Sequence, residues 1–222
     1  MNPRTALRLE EIDAAIVDLD GTLVDTLGDF ELALTRTLAD LGLPAVERAF
    51  IARTVGRGSE HLLRSSLLQA GGTADDLPRA WARYQVHYDA VNGSRAEVFP
   101  GVLEGLVLLR ASGWRLACVT NKPQAFARRL LELKGLAASF EFIYGGDSFE
   151  RRKPDPLPLL RTCEALGTLP ARTLMVGDSR NDAEAAWAAG CPVVLMSYGY
   201  NHGEPVAAVG ADRVIDRLDQ LL

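Results

Sequence analysis

Two aspartates stand two positions apart at the end of a short apolar segment. The segment reads AAIVDLDGT over residues 14–22, and the two acidic residues are Asp18 and Asp20. Carboxylates that lie close together repel each other, and burying one is costly unless a cation or hydrogen-bond donors compensate. One carboxylate can act as a nucleophile while a second serves as general acid and base. The pair therefore predicts a site for a cation and for group transfer.

Polar residues also follow other apolar segments of the chain. Thr120 and Asn121 come directly after RLACV, and Asp178 comes after TLMVG. Lys153 lies in the segment RKPDP, after a further candidate strand. Ligands of open α/β sheets bind beyond the carboxyl ends of the strands, so we expect these side chains to meet at one edge.

Several carboxylates at one edge of a sheet require a cation between them. Mg²⁺ prefers oxygen ligands and is usually held by one or two carboxylates together with substrate phosphate oxygens. Gly21 and Thr120 would donate hydrogen bonds to phosphoryl oxygens, and Lys153 would add positive charge. Each residue alone has an ordinary explanation, such as a helix cap or a solvated strand end. Their combination predicts a magnesium-dependent phosphoryl-transfer site.

Near-continuous apolar runs rich in β-branched residues alternate with helical patterns from residue 101 onwards. Such runs are typical of strands covered on both faces, as in parallel sheets. The alternation predicts βαβ units, and therefore an α/β fold with a Rossmann-like, doubly wound parallel sheet. The candidate strands are residues 14–20, 115–121, 140–146, 173–179 and 192–199, and the candidate helices are residues 101–113, 123–135, 155–167 and 181–190.

Residues 27–95 interrupt this alternation, because helical patterns follow one another there without a strand. Thr26 and Asp29 have the spacing of a capping box at the start of the first of these helices. We therefore predict an α-helical cap domain inserted after the first strand. The predicted division is an α/β core of residues 1–24 and 96–222 and a cap of residues 25–95.

The composition narrows the class of protein. Hydrophobic residues make up 48% of the chain and charged residues 24%, which is ordinary for a globular protein. The formal net charge of −5 argues against nucleic acid or an anionic membrane as partner. We expect neither a transmembrane helix nor a signal peptide, because no apolar stretch is long enough and charges interrupt the first residues.

Three cysteines without CxxC spacing suit a reduced compartment, so we expect a cytoplasmic protein. The expected partner is a small phosphorylated molecule. A monomer and a homodimer are equally compatible with the sequence.

Four motifs occur in a fixed order: DLDGT from residue 18, VTN from 119, RKPDP from 152 and GDSRND from 177. Together they span nearly the whole chain, and they resemble the four motifs of the haloacid dehalogenase superfamily of phosphohydrolases. The resemblance implies that Asp18 is the nucleophile that becomes phosphorylated and that Asp20 is the general acid and base. It also implies Mg²⁺ as cofactor, held by the carboxylates of Asp18 and Asp178 and the main-chain carbonyl of Asp20.

The same resemblance assigns roles to the other motif residues. Gly21, Thr120, Asn121 and Lys153 would bind the phosphate, with Lys153 stabilising charge in the transition state. Asp182 would occupy the outer acidic position. The helical insert resembles the superfamily's cap, which closes over the substrate and excludes water.

Within the superfamily, the chain resembles the phosphoglycolate phosphatase group most. The stretches that carry this resemblance are residues 55–63, 99–123 and 198–204. It implies hydrolysis of a small phosphate monoester through an aspartyl-phosphate intermediate, with phosphoglycolate as the expected substrate.

The cap segment VGRGS suggests how the substrate is chosen. Gly56 and Gly58 would let a loop approach the substrate, and Arg57, with Arg53 and Arg64 nearby, would bind a carboxylate bidentately. The alternative is a plain turn between helices with solvated arginines.

Other reactions on the same scaffold have to be separated from this one. A dehalogenase does not need the second acid at Asp20, and a phosphonate-cleaving relative needs a cap lysine, whereas residues 27–95 contain none. Inorganic pyrophosphatase, nucleotidase, sugar-phosphate phosphatase and phosphomutase activities stay open, because the cap decides the substrate. A non-catalytic regulatory protein would have lost the nucleophile, the lysine or the metal-binding acid, and all three are present.

Overall fold

A computed structural model describes residues 7–222. Residues 1–6, which belong to the predicted core segment and to the stretch in which we expect no signal peptide, lie outside the described residues. Among residues 7–222, no helix combines the length and the apolarity that crossing a membrane requires.

The core is a six-stranded parallel sheet with the strand order β5-β4-β1-β6-β7-β8. The first strand, β1, is central and pairs with β4 on one side and with β6 on the other. This order reverses next to β1, which confirms the predicted doubly wound α/β fold. The strands of this sheet are β1 (Ala14–Val17), β4 (Arg115–Val119), β5 (Phe142–Tyr144), β6 (Thr173–Gly177), β7 (Val193–Met196) and β8 (Arg213–Ile215).

Helices cover both faces of the sheet because successive strand residues point to opposite sides. Val17 of β1 belongs to a hydrophobic cluster that contains Leu106 and Leu130, from the helices of one face. Its neighbour Ile16 belongs to a second cluster with Leu159 on the other face. The four helices are α5 (Val102–Ala111), α6 (Gln124–Leu133), α7 (Leu157–Leu166) and α8 (Arg180–Ala189).

The segment between β1 and the rest of the sheet is helical, as predicted, and it has a hydrophobic cluster of its own. Phe30, Leu34, Leu63 and Tyr84 are buried in that cluster, together with Tyr200 from the loop after β7. We propose that this segment is the cap, and its exact bounds stay a prediction. Its helices are α1 (Leu27–Asp40), α2 (Arg48–Thr54), α3 (Ser59–Gln69) and α4 (Leu77–Val91).

Two small elements lie where the helical segment leaves and rejoins the core. The two-residue strands β2 (Val24–Asp25) and β3 (Glu97–Val98) pair antiparallel and bring the two connections together. Neither these strands nor β8 was predicted from the sequence. In β8, Arg213 and Val214 are exposed, so this short edge strand lacks the continuous apolar run that marks the buried strands.

The predicted capping box at the start of α1 is wrong. Thr26 does precede the helix, but its side chain makes no capping hydrogen bond. Asp29 is fully buried, and its carboxylate accepts hydrogen bonds from the main-chain N–H groups of Gly93 at 2.6 Å and Arg95 at 2.8 Å. A buried carboxylate needs such donors, and here the returning connection supplies them.

Candidate active site

The three central strands bring the motif residues together at the carboxyl edge of the sheet. Asp18 and Asp20 follow β1, Thr120 follows β4, and Asp178 follows β6. Because β4 and β6 are the two neighbours of β1, these side chains line the same cavity. Lys153 reaches the cavity from the loop before α7.

Lys153 is buried and uses all three of its N–H donors. Its Nζ atom lies 2.8 Å from Oδ1 of Asp18, 2.7 Å from Oδ1 of Asp182 and 2.7 Å from the carbonyl oxygen of Val119. Burial works against the charged form, but the carboxylates of Asp18 and Asp182 outweigh it and raise the pKa of Lys153. The ammonium group therefore stays charged and fixed beside Asp18.

Asp18 is the centre of this arrangement. Burial raises the pKa of its carboxyl group to about 7, with Lys153 acting against this shift and the charges of Asp182 and Asp20 adding to it. Its Oδ1 atom accepts the hydrogen bond from Lys153. Its Oδ2 atom accepts no hydrogen bond within residues 7–222, so this oxygen is available to a substrate or a cation.

Asp178 and Asp182 add further negative charge to the same place. Oxygens of Asp18, Asp178 and Asp182 lie within 4.8 Å of one another. Burial, and then the charges of Asp182 and Asp18, raise the pKa of Asp178 well above its ordinary value. Thr22 Oγ1 donates to Asp178 Oδ1 at 3.0 Å, which offsets this only in part.

This set of donors fits a Mg²⁺ ion. Buried carboxylates whose pKa values are raised by one another are stabilised by a cation, and hard oxygen ligands suit Mg²⁺. Asp182 is committed elsewhere, because its Oδ2 atom accepts from the N–H groups of Asp178 and Ser179 and from the Ser179 hydroxyl. Asp182 thus accepts four hydrogen bonds, including the one from Lys153. In the described part of the chain, Asp18 accepts one, from Lys153, and Asp178 accepts two, from the Thr22 hydroxyl and the N–H of Tyr200, so Asp18 and Asp178 are the better candidate ligands.

Gly21 allows the close approach of the turn after β1 to Asp178. Its φ is +87°, a conformation that residues with a side chain rarely adopt. A Cβ atom at this position would also collide with Oδ2 of Asp178 and with the ring of Tyr200. The predicted phosphate-binding role of Gly21 stays a prediction, and the contact with Asp178 gives an additional reason for glycine here.

The cavity has an empty volume of about 480 Å³ and lies between the strand ends and the helical segment. The helical side is mostly apolar, whereas the core side carries the charged residues. The residues that line it from the helical side are Phe30, Val55, Gly56, Gly58, Ser59 and Leu62.

Gly56 is held against the core by two asparagines. Its carbonyl oxygen accepts from Nδ2 of Asn121 at 2.9 Å and from Nδ2 of Asn181 at 3.1 Å. Asn121 Nδ2 also donates to the carbonyl oxygen of Lys153 at 2.8 Å. The side-chain N–H groups of Asn121 thus join the Gly56 loop to the core. The predicted role of Asn121 in phosphate binding stays a prediction.

Thr120 lines the cavity, and its hydroxyl oxygen accepts a hydrogen bond from the N–H of Lys122.

Lys122 is the main site residue that the sequence interpretation missed. Its Nζ atom lies 2.9 Å and 3.2 Å from the two carboxylate oxygens of Asp20. The ammonium also lies 4.5 Å from the ring centre of Phe30 and 4.8 Å from that of Tyr88. A lysine directly after a strand end was the available signal, but the two rings come from helices whose packing the sequence does not reveal.

The arginines near VGRGS do not line the cavity. Arg57 is exposed, although its neighbours Gly56 and Gly58 are lining residues. Arg53 is exposed as well, and Arg64 pairs with Glu60 at 3.2 Å. The expected role of Arg57 in substrate choice stays a prediction.

The parallel sheet and the carboxylates and lysines at its strand ends define a class of protein. Comparison of the sequence with models of protein families agrees with that class. The chain belongs to the haloacid dehalogenase-like hydrolases, since the model of that family matches residues 15–196. That match runs from β1 to the end of β7.

Individual proteins are similar to this chain in sequence or structure over nearly its whole length. The chain is 46% identical over 213 residues to "Phosphoglycolate phosphatase, plasmid" of Cupriavidus necator, covering 94% of this chain and 90% of that protein. It is 42% identical over 210 residues to a phosphoglycolate phosphatase of Thiobacillus denitrificans, covering 93% and 92%. A crystal structure described as a predicted phosphoglycolate phosphatase, from Haemophilus somnus 129PT, superposes with a TM-score of 0.90 at 33% identity, covering 95% of this chain and 96% of that one.

Proposed function

We propose that this protein is a phosphatase that hydrolyses phosphoglycolate. The observation that carries the proposal is the environment of Asp18, which lines the cavity: its Oδ1 atom is bound by Lys153, while its Oδ2 atom accepts no hydrogen bond within residues 7–222. A carboxylate fixed through one oxygen presents the other as a nucleophile. The names of the similar proteins from Cupriavidus necator and Thiobacillus denitrificans support phosphoglycolate as substrate.

The proposed reaction has two displacements at phosphorus. In the first, Oδ2 of Asp18 attacks, the bond between phosphorus and the ester oxygen breaks, and that oxygen takes a proton from the Asp20 carboxyl group. In the second, a water molecule attacks the phosphorylated Asp18 and gives a proton to Asp20. Inorganic phosphate leaves, and both aspartates return to their first state.

Other residues of the chain stabilise the charge that develops on the phosphoryl oxygens. The Thr120 hydroxyl donates a hydrogen bond, and Lys153 provides a positive charge that is fixed before the reaction begins. Mg²⁺, held by Asp18, Asp178 and the carbonyl oxygen of Asp20, supplies further positive charge when bound. Asp182 keeps Lys153 in place through the hydrogen bond to its Oδ1 atom.

The enclosure of the cavity favours a small substrate. Residues of the core and of the helical segment line it together, so a substrate at Asp18 lies between the two. The Gly56 loop, which the two asparagines hold against the core, closes one side. This supports phosphoglycolate over a nucleotide.

We also propose that the enzyme acts in the cytoplasm on a small molecule rather than on nucleic acid or at a membrane. The net charge of −5 supports the choice of partner, and three buried cysteines that form no disulfide suit a reduced compartment.

A panel of phosphate compounds tests the proposed function. Purified protein with Mg²⁺ is assayed for phosphate release from 2-phosphoglycolate, pyrophosphate, sugar phosphates and nucleotides, with Asp18→Asn as the inactive control. We expect the highest kcat/KM for 2-phosphoglycolate. A higher kcat/KM for any other class would reassign the substrate, and turnover of none would overturn the proposal.

A further inference from the structure

The proposed reaction leaves one buried cation of the cavity without a role. The chain has three lysines, Lys122, Lys134 and Lys153, and two of them line the cavity. The side chain of Lys122 has no exposed area, although burying an ammonium group is costly. A buried charge at a binding cavity calls for an explanation in terms of what the cavity binds.

Lys122 has hydrogen-bonding capacity to spare. Lys153 gives its three N–H groups to three different acceptors. Lys122 has the two oxygens of Asp20 as its only hydrogen-bond acceptors within residues 7–222, and the rings of Phe30 and Tyr88 contact the same ammonium. At least one N–H of Lys122 is therefore left for a ligand in the cavity.

The beginning of α3 lines the same cavity as Lys122. Ser59 is the first residue of this helix, and both Gly58 and Ser59 line the cavity. The hydrogen bond from Leu62 N to Gly58 O is the first of the helix, so the N–H groups of Ser59 and its successor have no acceptor within it. The positive end of α3 and the Lys122 ammonium thus both favour an anion in this cavity.

The position of this anion follows from the contact between Lys122 and Asp20. In the proposed reaction, Asp20 gives its proton to the ester oxygen of the substrate. In phosphoglycolate, the carboxylate carbon is two bonds away from that oxygen. Since Lys122 Nζ lies 2.9 Å from Asp20 Oδ1, a carboxylate so close to the ester oxygen falls within its reach.

We propose that Lys122 and the first turn of α3 at Ser59 bind the carboxylate of the substrate, an inference that rests on the proposed phosphatase function. When no substrate is bound, the side-chain oxygens of Asp20 accept the hydrogen bonds of Lys122. Apolar side chains such as Val55 and Leu62 keep water away, which strengthens the ion pair with the substrate. The specificity-determining cation is therefore Lys122, and not the exposed Arg57.

The test compares two substrates that differ in charge at one end. 2-Phosphoglycolate carries a carboxylate where 2-hydroxyethyl phosphate carries a neutral hydroxymethyl group. The measured quantity is kcat/KM for 2-phosphoglycolate divided by kcat/KM for 2-hydroxyethyl phosphate. This ratio is used because loss of the Lys122 contact with Asp20 slows the turnover of both substrates. We expect Lys122→Met to lower this ratio by about tenfold or more, since a charge-assisted hydrogen bond is lost.

Two further variants complete the test. Ser59→Ala removes only a hydroxyl group at the proposed site, and we expect a smaller fall of the ratio in the same direction. This variant decides the proposal if Lys122→Met does not fold, as judged by circular dichroism. Arg57→Ala tests the competing prediction from the sequence, because it removes an exposed cation between two residues that line the cavity, and our proposal predicts no change of the ratio.

The outcomes separate this inference from the proposed function. If the wild-type protein turns over neither substrate, the phosphatase function itself fails. If it turns over both with equal kcat/KM, the function stands and the carboxylate site is overturned. An unchanged ratio in Lys122→Met also overturns the carboxylate site. If Lys122→Met does not fold, an unchanged ratio in Ser59→Ala has the same meaning. A fall of the ratio in Arg57→Ala alone overturns the site as well.

Discussion

Asp182 connects the charge of the cavity to the local fold. Its Oδ1 atom accepts from Lys153, while Oδ2 accepts from two main-chain N–H groups and the Ser179 hydroxyl at the start of α8. One carboxylate therefore positions the lysine and shapes the loop after β6. Both oxygens act as acceptors, and only a carboxylate can satisfy both sets of donors.

We expect Asp182→Asn to impair both activity and stability. Whichever way the amide is turned, its NH₂ group meets donors, so kcat should fall at least tenfold and the free energy of unfolding should fall by about 1–3 kcal/mol. Steady-state kinetics and urea unfolding measure the two effects.

Asp212→Ala is a suitable control for this experiment. Its Oδ2 atom accepts from the N–H of Val193 at 2.7 Å, at the beginning of β7 and away from the cavity. This variant should lose stability and keep its kcat. Equal kcat values for the two variants would show that Asp182 acts only on the fold.

Asp18 and Asp20 are distinguishable by their effects on the intermediate. With Asp20→Asn we expect phosphorylation of Asp18 to continue slowly while hydrolysis stalls, and turnover to fall by roughly 10²–10⁴-fold. With Asp18→Asn we expect neither turnover nor an acid-stable phosphoenzyme, because an amide cannot serve as nucleophile. Quenched reactions with labelled substrate measure the phosphoenzyme.

A loss of less than tenfold for Asp20→Asn would reduce that residue to a structural role. Labelling of Asp18→Asn, once deamidation to aspartate has been excluded by mass spectrometry, would contradict Asp18 as nucleophile.

At the scale of elements, the loop between α2 and α3 forms part of the cavity wall. Its ends are helices of the cap, and its centre is fixed at the Gly56 carbonyl by Asn121 and Asn181. Asn181 belongs to α8 of the core, so this contact ties the cap to the helix that follows the loop with Asp178. We expect this loop to close over the substrate and to exclude water, as active-site loops do in many enzymes.

We expect Asn181→Ala to raise KM for 2-phosphoglycolate several-fold with a smaller effect on kcat. The loop loses one of two hydrogen bonds, so the closed state that binds substrate is less populated. Steady-state kinetics measure this change.

The matched control is Asn92→Ala, because Asn92 also joins the helical segment to the core. Its Nδ2 atom donates to the carbonyl oxygen of Phe126 at 3.0 Å, away from the loop. It should change stability without changing KM. A KM for Asn181→Ala equal to the wild-type value would show that the contact does not control closure.

The elements also show what the sequence can and cannot reveal. The strands β1, β4, β6 and β7 are continuous apolar runs, and the fold class predicted from them is confirmed. The edge strand β8 has exposed residues and escapes such a pattern. Asp29 looked like a local cap, but it is satisfied by residues that return from the end of α4, which is a long-range contact.

The candidate site shows the same distinction between local and distant signals. Asp18, Thr120, Lys153 and Asp178 are recognised because each stands in a short motif next to a strand. The surroundings of Lys122 depend on two rings from α1 and α4. No local pattern encodes that packing, so the cap side of the cavity could not be predicted residue by residue.

At the scale of the whole molecule, the excess of buried negative charge predicts a requirement for metal. We expect EDTA to abolish turnover and Mg²⁺ to restore it, while Ca²⁺ replaces it poorly because its coordination is larger and less regular. Since an ion that binds only the folded state stabilises it, Mg²⁺ should also raise Tm, and less so in Asp178→Ala. Full activity in excess chelator would remove the metal from the proposed reaction.

The central position of β1 has a consequence for synthesis of the chain. This strand leaves the ribosome before the other strands of the sheet, but its hydrogen-bonding partners are residues 115–118 and 173–176. The helices α1–α4 follow one another in the chain and can pack on one another before β4 and β6 are synthesised. Both edges of β1 are then still unpaired. A nascent chain that stops before β4 exposes an apolar strand open to other chains, so interrupted translation yields aggregation-prone fragments rather than a stable half-protein.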